Sequence, residues 1–118
     1  MAVISYTVER VHPSTKHIVK WAAVTENDTC EAFTLQELPL DISAHIYGTF
    51  GGATGVLKIA NGGGSGVNAK SLDSVAISIA AESLVSMLER PNTITPTFSG
   101  GTSQSLTVAI ILWYAPQA

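Results

Sequence analysis

The chain has 118 residues, of which 46% are hydrophobic and 13% charged, with a formal net charge of −3. That length favours one domain with a core that needs no disulfide or metal, and the apolar content excludes intrinsic disorder. The acidic balance excludes a general nucleic-acid binder, which needs a basic footprint. The single cysteine, Cys30, excludes an internal disulfide framework.

From the start of the chain, Val3 to Val11 alternates, with Val3, Ser5, Thr7 and Glu9 on one side and Ile4, Tyr6, Val8 and Arg10 on the other, which predicts a strand. His12-Pro13-Ser14 reads as a turn, His17 to Val24 as a strand, and Glu26-Asn27-Asp28 as a second turn. Glu31 to Thr34 starts another short strand, and Leu35 to Pro39 is ambiguous up to the proline that ends it. His45 to Phe50 alternates again, a glycine-rich corner follows, and Gly55 to Ala60 is the next strand. Asn61 to Gly66 is a flexible glycine loop. Ser74 to Ile79 is a strand candidate. Ala80 to Leu88 is a helical turn or a strand, with the strand favoured over Leu84 to Leu88. Thr93 to Phe98 is a short strand that Pro96 would place at a sheet edge, and Gly100-Gly101 turns the chain.

Leu106 to Tyr114 is rich in β-branched and aromatic residues. Leu106, Val108, Ile110, Leu112 and Tyr114 share one face, and Ile111 and Trp113 take the other. A strand apolar on both faces is central or lies against a partner. Eight to ten short strands between Gly and Pro turns predict an all-β fold, a small jelly-roll-like β-sandwich.

Charge is unevenly spread. Arg10, Lys16 and Lys20 cluster near the start, Glu26 to Asp41 is acidic, and Pro91 to Ala118 has no charged side chain. An uncharged C-terminal quarter is interior or faces a partner. Met1 to Ser5 has no basic segment or cleavage site, so no signal peptide is expected. The longest apolar run, Val108 to Ala115, is too short to span a bilayer as a helix, so no membrane partner is expected.

No catalytic set emerges, and the expectation is a protein that is not an enzyme. Gly48, Gly51, Gly52 and Gly55 lack the Gly-Lys-Ser/Thr of a phosphate loop and read as a corner between strands. The spacings of His12, His17, His45 and Cys30 match no zinc pattern, so no metal or cofactor is expected. The acidic neighbours Asp28 and Glu31 would raise a Cys30 thiol pKa, which suits an inert residue better than a nucleophile. Asp41 with Asp73, or Glu82 with Glu89, could serve as an acid–base pair only across a cleft that nothing in the sequence indicates. Among Trp21, Phe50, Phe98, Trp113 and Tyr114, core filling is the expected role, with Trp113-Tyr114 the exception facing a partner.

Six phrases, in order, carry a resemblance: Gly48 to Thr54, Val56 to Gly62, Pro91, Ile94-Thr95-Pro96, Gly100-Gly101 and Leu106-Thr107-Val108. Together, over about His45 to Leu112, they resemble the capsid cement, or head decoration, proteins of short-tailed bacteriophages. Thr95 stands where an arginine often precedes the second proline, and Gly55 is an extra glycine after Ala53-Thr54. Residues 1–44 hold no matching phrase and are expected to be the part adapted to a particular capsid, with the family-like strands in 45–114. The resemblance implies a virion protein made in the host bacterial cytoplasm. It would bind the outside of the head as a homo-oligomer, with a dimer favoured and a trimer left open, bridge major capsid protein subunits and stabilise the expanded shell. Val3, Ile4, Tyr6, Arg10, Lys16, Lys20, Trp113 and Tyr114 are the expected interface residues, the two ends without charged side chains, Met1 to Val8 and Ala109 to Ala118, forming contacts between subunits or pairing inside one sandwich. The basic Arg10–Lys20 and acidic Glu26–Asp41 segments could meet across a symmetric dimer. The alternative from another class is a carbohydrate-binding β-sandwich module on a tail or fibre, with Trp21 as its aromatic platform.

Overall fold

Ser105–Trp113, rich in β-branched and aromatic residues, lies at the centre of the larger of two facing sheets. The structure, a computed structural model, describes residues 3–12, 15–25, 28–60 and 66–114. In chain order its strands are β1 (Val3–Ile4), β2 (Thr7–His12), β3 (Lys16–Thr25), β4 (Thr29–Cys30), β5 (Phe33–Thr34), β6 (Asp41–Thr49), β7 (Thr54–Ala60), β8 (Val67–Asn68), β9 (Ser83–Ser86), β10 (Thr93–Ser99) and β11 (Ser105–Trp113). One sheet has the order β2-β3-β11-β6-β9 and the other β5-β10-β7-β8, while β1 and β4 form a short parallel pair.

The pairing is nested. β7 pairs β8, β6 pairs β9, β5 pairs β10 and β3 pairs β11, all antiparallel. This is one long hairpin, innermost pair first, folded so that successive pairs fall in alternate sheets. That is the jelly-roll arrangement, here with β2 added outside β3. The fold is therefore the small β-sandwich that the strand pattern predicts.

The core comes from both inner faces. Val19, Trp21, Ile42, Ala44, Ile46, Val108, Ile110 and Leu112 of the larger sheet meet Leu57, Ile59 and Ile94 of the smaller in one cluster. The period of two along β6, β7 and β11 produces this, since alternate side chains point to opposite faces of a sheet.

Several expectations need correction. Val3 to Val11 is not one strand: β1 pairs with β4, Tyr6 turns inward onto Trp21 and Phe33, and β2 begins anew at Thr7. Among the described residues the two uncharged ends do not pair with each other, because β3 lies between β2 and β11. Ser74 to Ile79 makes only isolated bridges, Lys70 to Ala76 and Gly55 to Ile79. Pro96 sits in β10 between β7 and the line of β5, but β5 reaches only Thr93 and Ile94, so the proline lies past its end. The proposed turns at Pro13-Ser14 and Glu26-Asn27 and most of the glycine loop, 61–65, lie outside the described residues. On the described side of the second turn, Asp28 Oδ2 accepts from Thr25 N at 2.9 Å and from Thr25 Oγ1 at 2.6 Å.

The glycine corner is a structural device. Gly51 has φ +56°, and a Cβ there would strike the carbonyl oxygen of Thr102. Thr102 N–H donates to the Gly51 carbonyl at 3.0 Å, so the two corners grip each other through bare backbone.

Candidate functional site

With the inner faces spent on the core, the outer face of the five-stranded sheet is left to be explained. Its residues follow from the strand registers. One row across the sheet reads Thr7, Lys20, Ala109, His45, Leu84; the next reads Glu9, Ile18, Ile111, Ser43, Ser86; a third begins Lys16, Trp113, Asp41. Tyr47 stands opposite Thr107 at the other end.

The middle of this face is apolar and its margins are polar. Ile18 and Ile111 are half-buried, flanking strands bury Ala109, and Trp113 and Leu84 are 38% and 64% exposed. The small Ala109 side chain leaves a shallow concavity of about 260 Å³ bounded by Thr7, Glu9, Ile18, Lys20, His45, Tyr47 and Ile111. Lys16 Nζ lies 4.8 Å from the Trp113 ring centroid, in cation–π range. His45 stacks on Tyr47 at 4.6 Å between centroids, and its Nε2 lies 3.3 Å from Glu82 Oε2.

A second concavity, about 370 Å³, opens at one end of the sandwich. Val8, Val19, Phe33 and Leu112 line its apolar depth, and Arg10, His17, Gln36, Glu37 and Tyr114 stand around it. Tyr114 packs on His17 at 5.0 Å, and burial, then the nearby Glu37 charge, raises its phenol pKa. A third, about 240 Å³, lies between Asp28–Cys30 and Thr95–Phe98. There, burial and then the Asp28 charge push the Cys30 thiol up to about 11, which keeps it protonated and poorly nucleophilic at neutral pH.

The carboxylates do not converge. Asp41 Oδ1 accepts from Ile42 N at 3.0 Å, Glu89 Oε1 from Lys70 N at 2.9 Å, and Glu82 sits with His45. Among the described residues no group of three or more His, Cys, Asp or Glu side chains is placed to hold a metal ion.

The expected interface residues fall in three places. Lys16, Lys20 and Trp113 lie together on the outer face. Arg10 and Tyr114 belong to the end concavity. Val3 is exposed, whereas Ile4 and Tyr6 pack against the core, so the first strand is partly a structural element. The Ala115–Ala118 contacts lie outside the described residues. Sequence reasoning missed Ile18, His45, Tyr47 and Leu84 as members of the face; only the cross-strand register places them beside Ile111. It gave Trp21 core filling as its expected role and an exposed platform only in the carbohydrate-binding alternative. Trp21 is fully buried, with its Nε1–H donated to the Glu31 carbonyl at 2.8 Å, so it cannot stack on a sugar.

No protein-family profile matches the chain, and no curated protein matches it as a relative. Among solved structures, it is similar to the SPBc2 prophage-derived protein YomS, at TM-score 0.57 and 10% identity over 83% of this chain and 94% of that one. It also aligns with a Bacillus endospore appendage protein at 16% identity over 95% of this chain and 91% of that one, where the TM-score of 0.40 is too low to carry an argument. At these identities the likeness to YomS is one of fold: the chain has a β-sandwich that a prophage-derived protein also has.

Proposed function

We propose that this chain is a structural protein of a phage virion, a cement protein that binds the outside of the head and bridges major capsid protein subunits. The observation that carries the reading is the outer face of the five-stranded sheet, an uncovered contact surface of the kind a homo-oligomeric shell-binding protein needs, with the end concavity left for the capsid. The apolar centre of this face (Ile18, Ala109, Ile111, Trp113) is not needed to close the sandwich and is covered by no other layer of the described chain. Supporting it are the jelly-roll nesting of the strands, the sandwich also found in a prophage-derived protein, and the phrases from Gly48 to Val108 that resemble head decoration proteins.

Such a protein acts by burying surface. Each copy that straddles two capsid subunits adds contact area that must be broken before they separate, and many copies multiply the effect. If the contact exists only on the expanded lattice, binding stabilises that lattice by mass action. The end concavity, with Arg10 and Glu37 about an apolar floor, has the character of an anchor pocket for one large side chain of the capsid protein.

The test is co-sedimentation of the purified chain with expanded capsids stripped of it and with unexpanded proheads. Saturable binding to the expanded shell, with a raised disruption temperature, is the expected result. Binding to neither shell overturns the proposal.

A further inference from the structure

The same outer face has a charge arrangement that complements itself. On its β2–β3 flank stand two cations, Lys16 and Lys20. On its β6–β9 flank stand Asp41 and, against His45, Glu82. Between them runs β11, with Ala109, Ile111 and Trp113 outward. From these positions we propose that two copies of this chain pack this face against itself about a two-fold axis running along β11. The inference rests on the oligomeric part of the reading above.

The charges choose the axis. A two-fold along β11 exchanges the flanks and preserves the rows. Lys20 of one copy then faces His45 and Glu82 of the other, Lys16 faces Asp41, Glu9 faces Ser86, and Ile111 meets its own copy. A two-fold across the strands, through the Ile111 row, would set Lys20 over Lys16 and Glu9 over Glu9. Like charges face to face at an interface are strongly disfavoured. An isologous contact needs one patch complementary to itself, and the along-strand axis satisfies that with both charge pairs at once.

The area is that of a small stable interface. Strands of six, ten, nine, nine and four residues, at about 3.3 Å per residue and about 4.8 Å apart, give a face of about 600 Å², against about 600–1,000 Å² per partner in a stable complex. Sheets that stack face to face do so with strands nearly aligned, as this axis requires. The sandwich ends stay free for other contacts.

Sedimentation equilibrium of the full chain reads the outcome. The wild type is expected to be a dimer whose dissociation constant rises with salt. Lys20→Glu should weaken it about tenfold or more, and the double variant Lys20→Glu with Glu82→Lys should restore it. Ile111→Arg should give a monomer; because Ile111 is half-buried, its circular dichroism must match the wild type before that result counts, and the charge pair decides the matter otherwise. A monomeric or trimeric wild type, or a Lys20→Glu effect that Glu82→Lys does not reverse, overturns the proposal. Capsid co-sedimentation separates the two readings: a dimer that binds no shell leaves this interface standing and removes the cement role, while a monomer that binds does the reverse.

Discussion

Trp21 donates its indole N–H to the carbonyl oxygen of Glu31 at 2.8 Å, and this bond ties the middle of β3 to the chain just after β4. Tyr6 packs edge-on against the Trp21 ring at 5.9 Å and against Phe33 at 5.1 Å. The N-terminal segment is thus held to the sandwich by an aromatic cluster as well as by its short pairing with β4.

Removing that anchor should be costly. Trp21→Phe keeps most of the buried ring but leaves the Glu31 carbonyl without its donor, at about 1–2 kcal/mol. Trp21→Ala opens a large cavity and should cost about 3–5 kcal/mol. Urea unfolding followed by circular dichroism measures both, and a Trp21→Ala loss below that of Trp21→Phe would contradict the packing described.

The glycine corner makes a separate prediction. Gly51→Ala places a Cβ against the Thr102 carbonyl at a left-handed φ, and should destabilise by about 1–3 kcal/mol through strain and displaced backbone. Gly52→Ala has also to adopt a positive φ, but its Cβ would meet nothing nearer than Gly101 Cα at 3.8 Å, so it should cost less. Thermal melts of the two variants side by side check the order.

Cys30 links the fold to pH. Its thiol titrates at about 11 in the fold against an ordinary value of 9.0, because burial and then Asp28 disfavour the thiolate. A raised folded pKa contributes stability that is complete below pH 9 and is lost as pH rises through about 11. Stability of the wild type should therefore fall across that window more steeply than that of Cys30→Ser. Thiol reagents at neutral pH should label the native chain slowly and the urea-unfolded chain fast.

Trp113 carries the last prediction. Lys16 lies over its ring, and both belong to the outer face rather than the core. Trp113→Ala should cost about 1 kcal/mol or less in stability, the range of an exposed cation–π contact, yet lower capsid binding or self-association markedly. Equal losses in stability and binding would place Trp113 among the core residues instead.

Much of the architecture was legible from local pattern. Apolar and β-branched content in His17 to Val24 and Leu106 to Trp113, and alternation in His45 to Phe50 and Gly55 to Ala60, placed four core strands, because a two-sided sheet selects such residues and imposes a period of two, although β6 begins four residues before His45, at Asp41. The two-faced apolarity of the last segment marked it as central, as it is. What stayed hidden depends on partners far along the chain. Val3 to Val11 alternates throughout, and Ile4 and Tyr6 face the core as that period requires, but the segment splits into β1, paired with β4, and β2, paired with β3, and no local period reveals that change of partner. Ser74 to Ile79 also reads as a strand, and Ile77 and Ile79 are buried, but the segment makes single bridges, to Gly55 of β7 and to Lys70, instead of pairing along a strand. The outer face was visible only as isolated residues: Lys16, Lys20 and Trp113 were singled out, while Ile18, His45 and Tyr47 join them only once the register of β3, β11 and β6 is known.

Electron cryomicroscopy of virions containing this chain tests the central claim most directly. The account predicts density for the sandwich on the outer surface of the head, between capsomers and at two-fold positions. Density on the tail or fibres, or no density on the head, would contradict it and turn attention to adsorption and glycan binding.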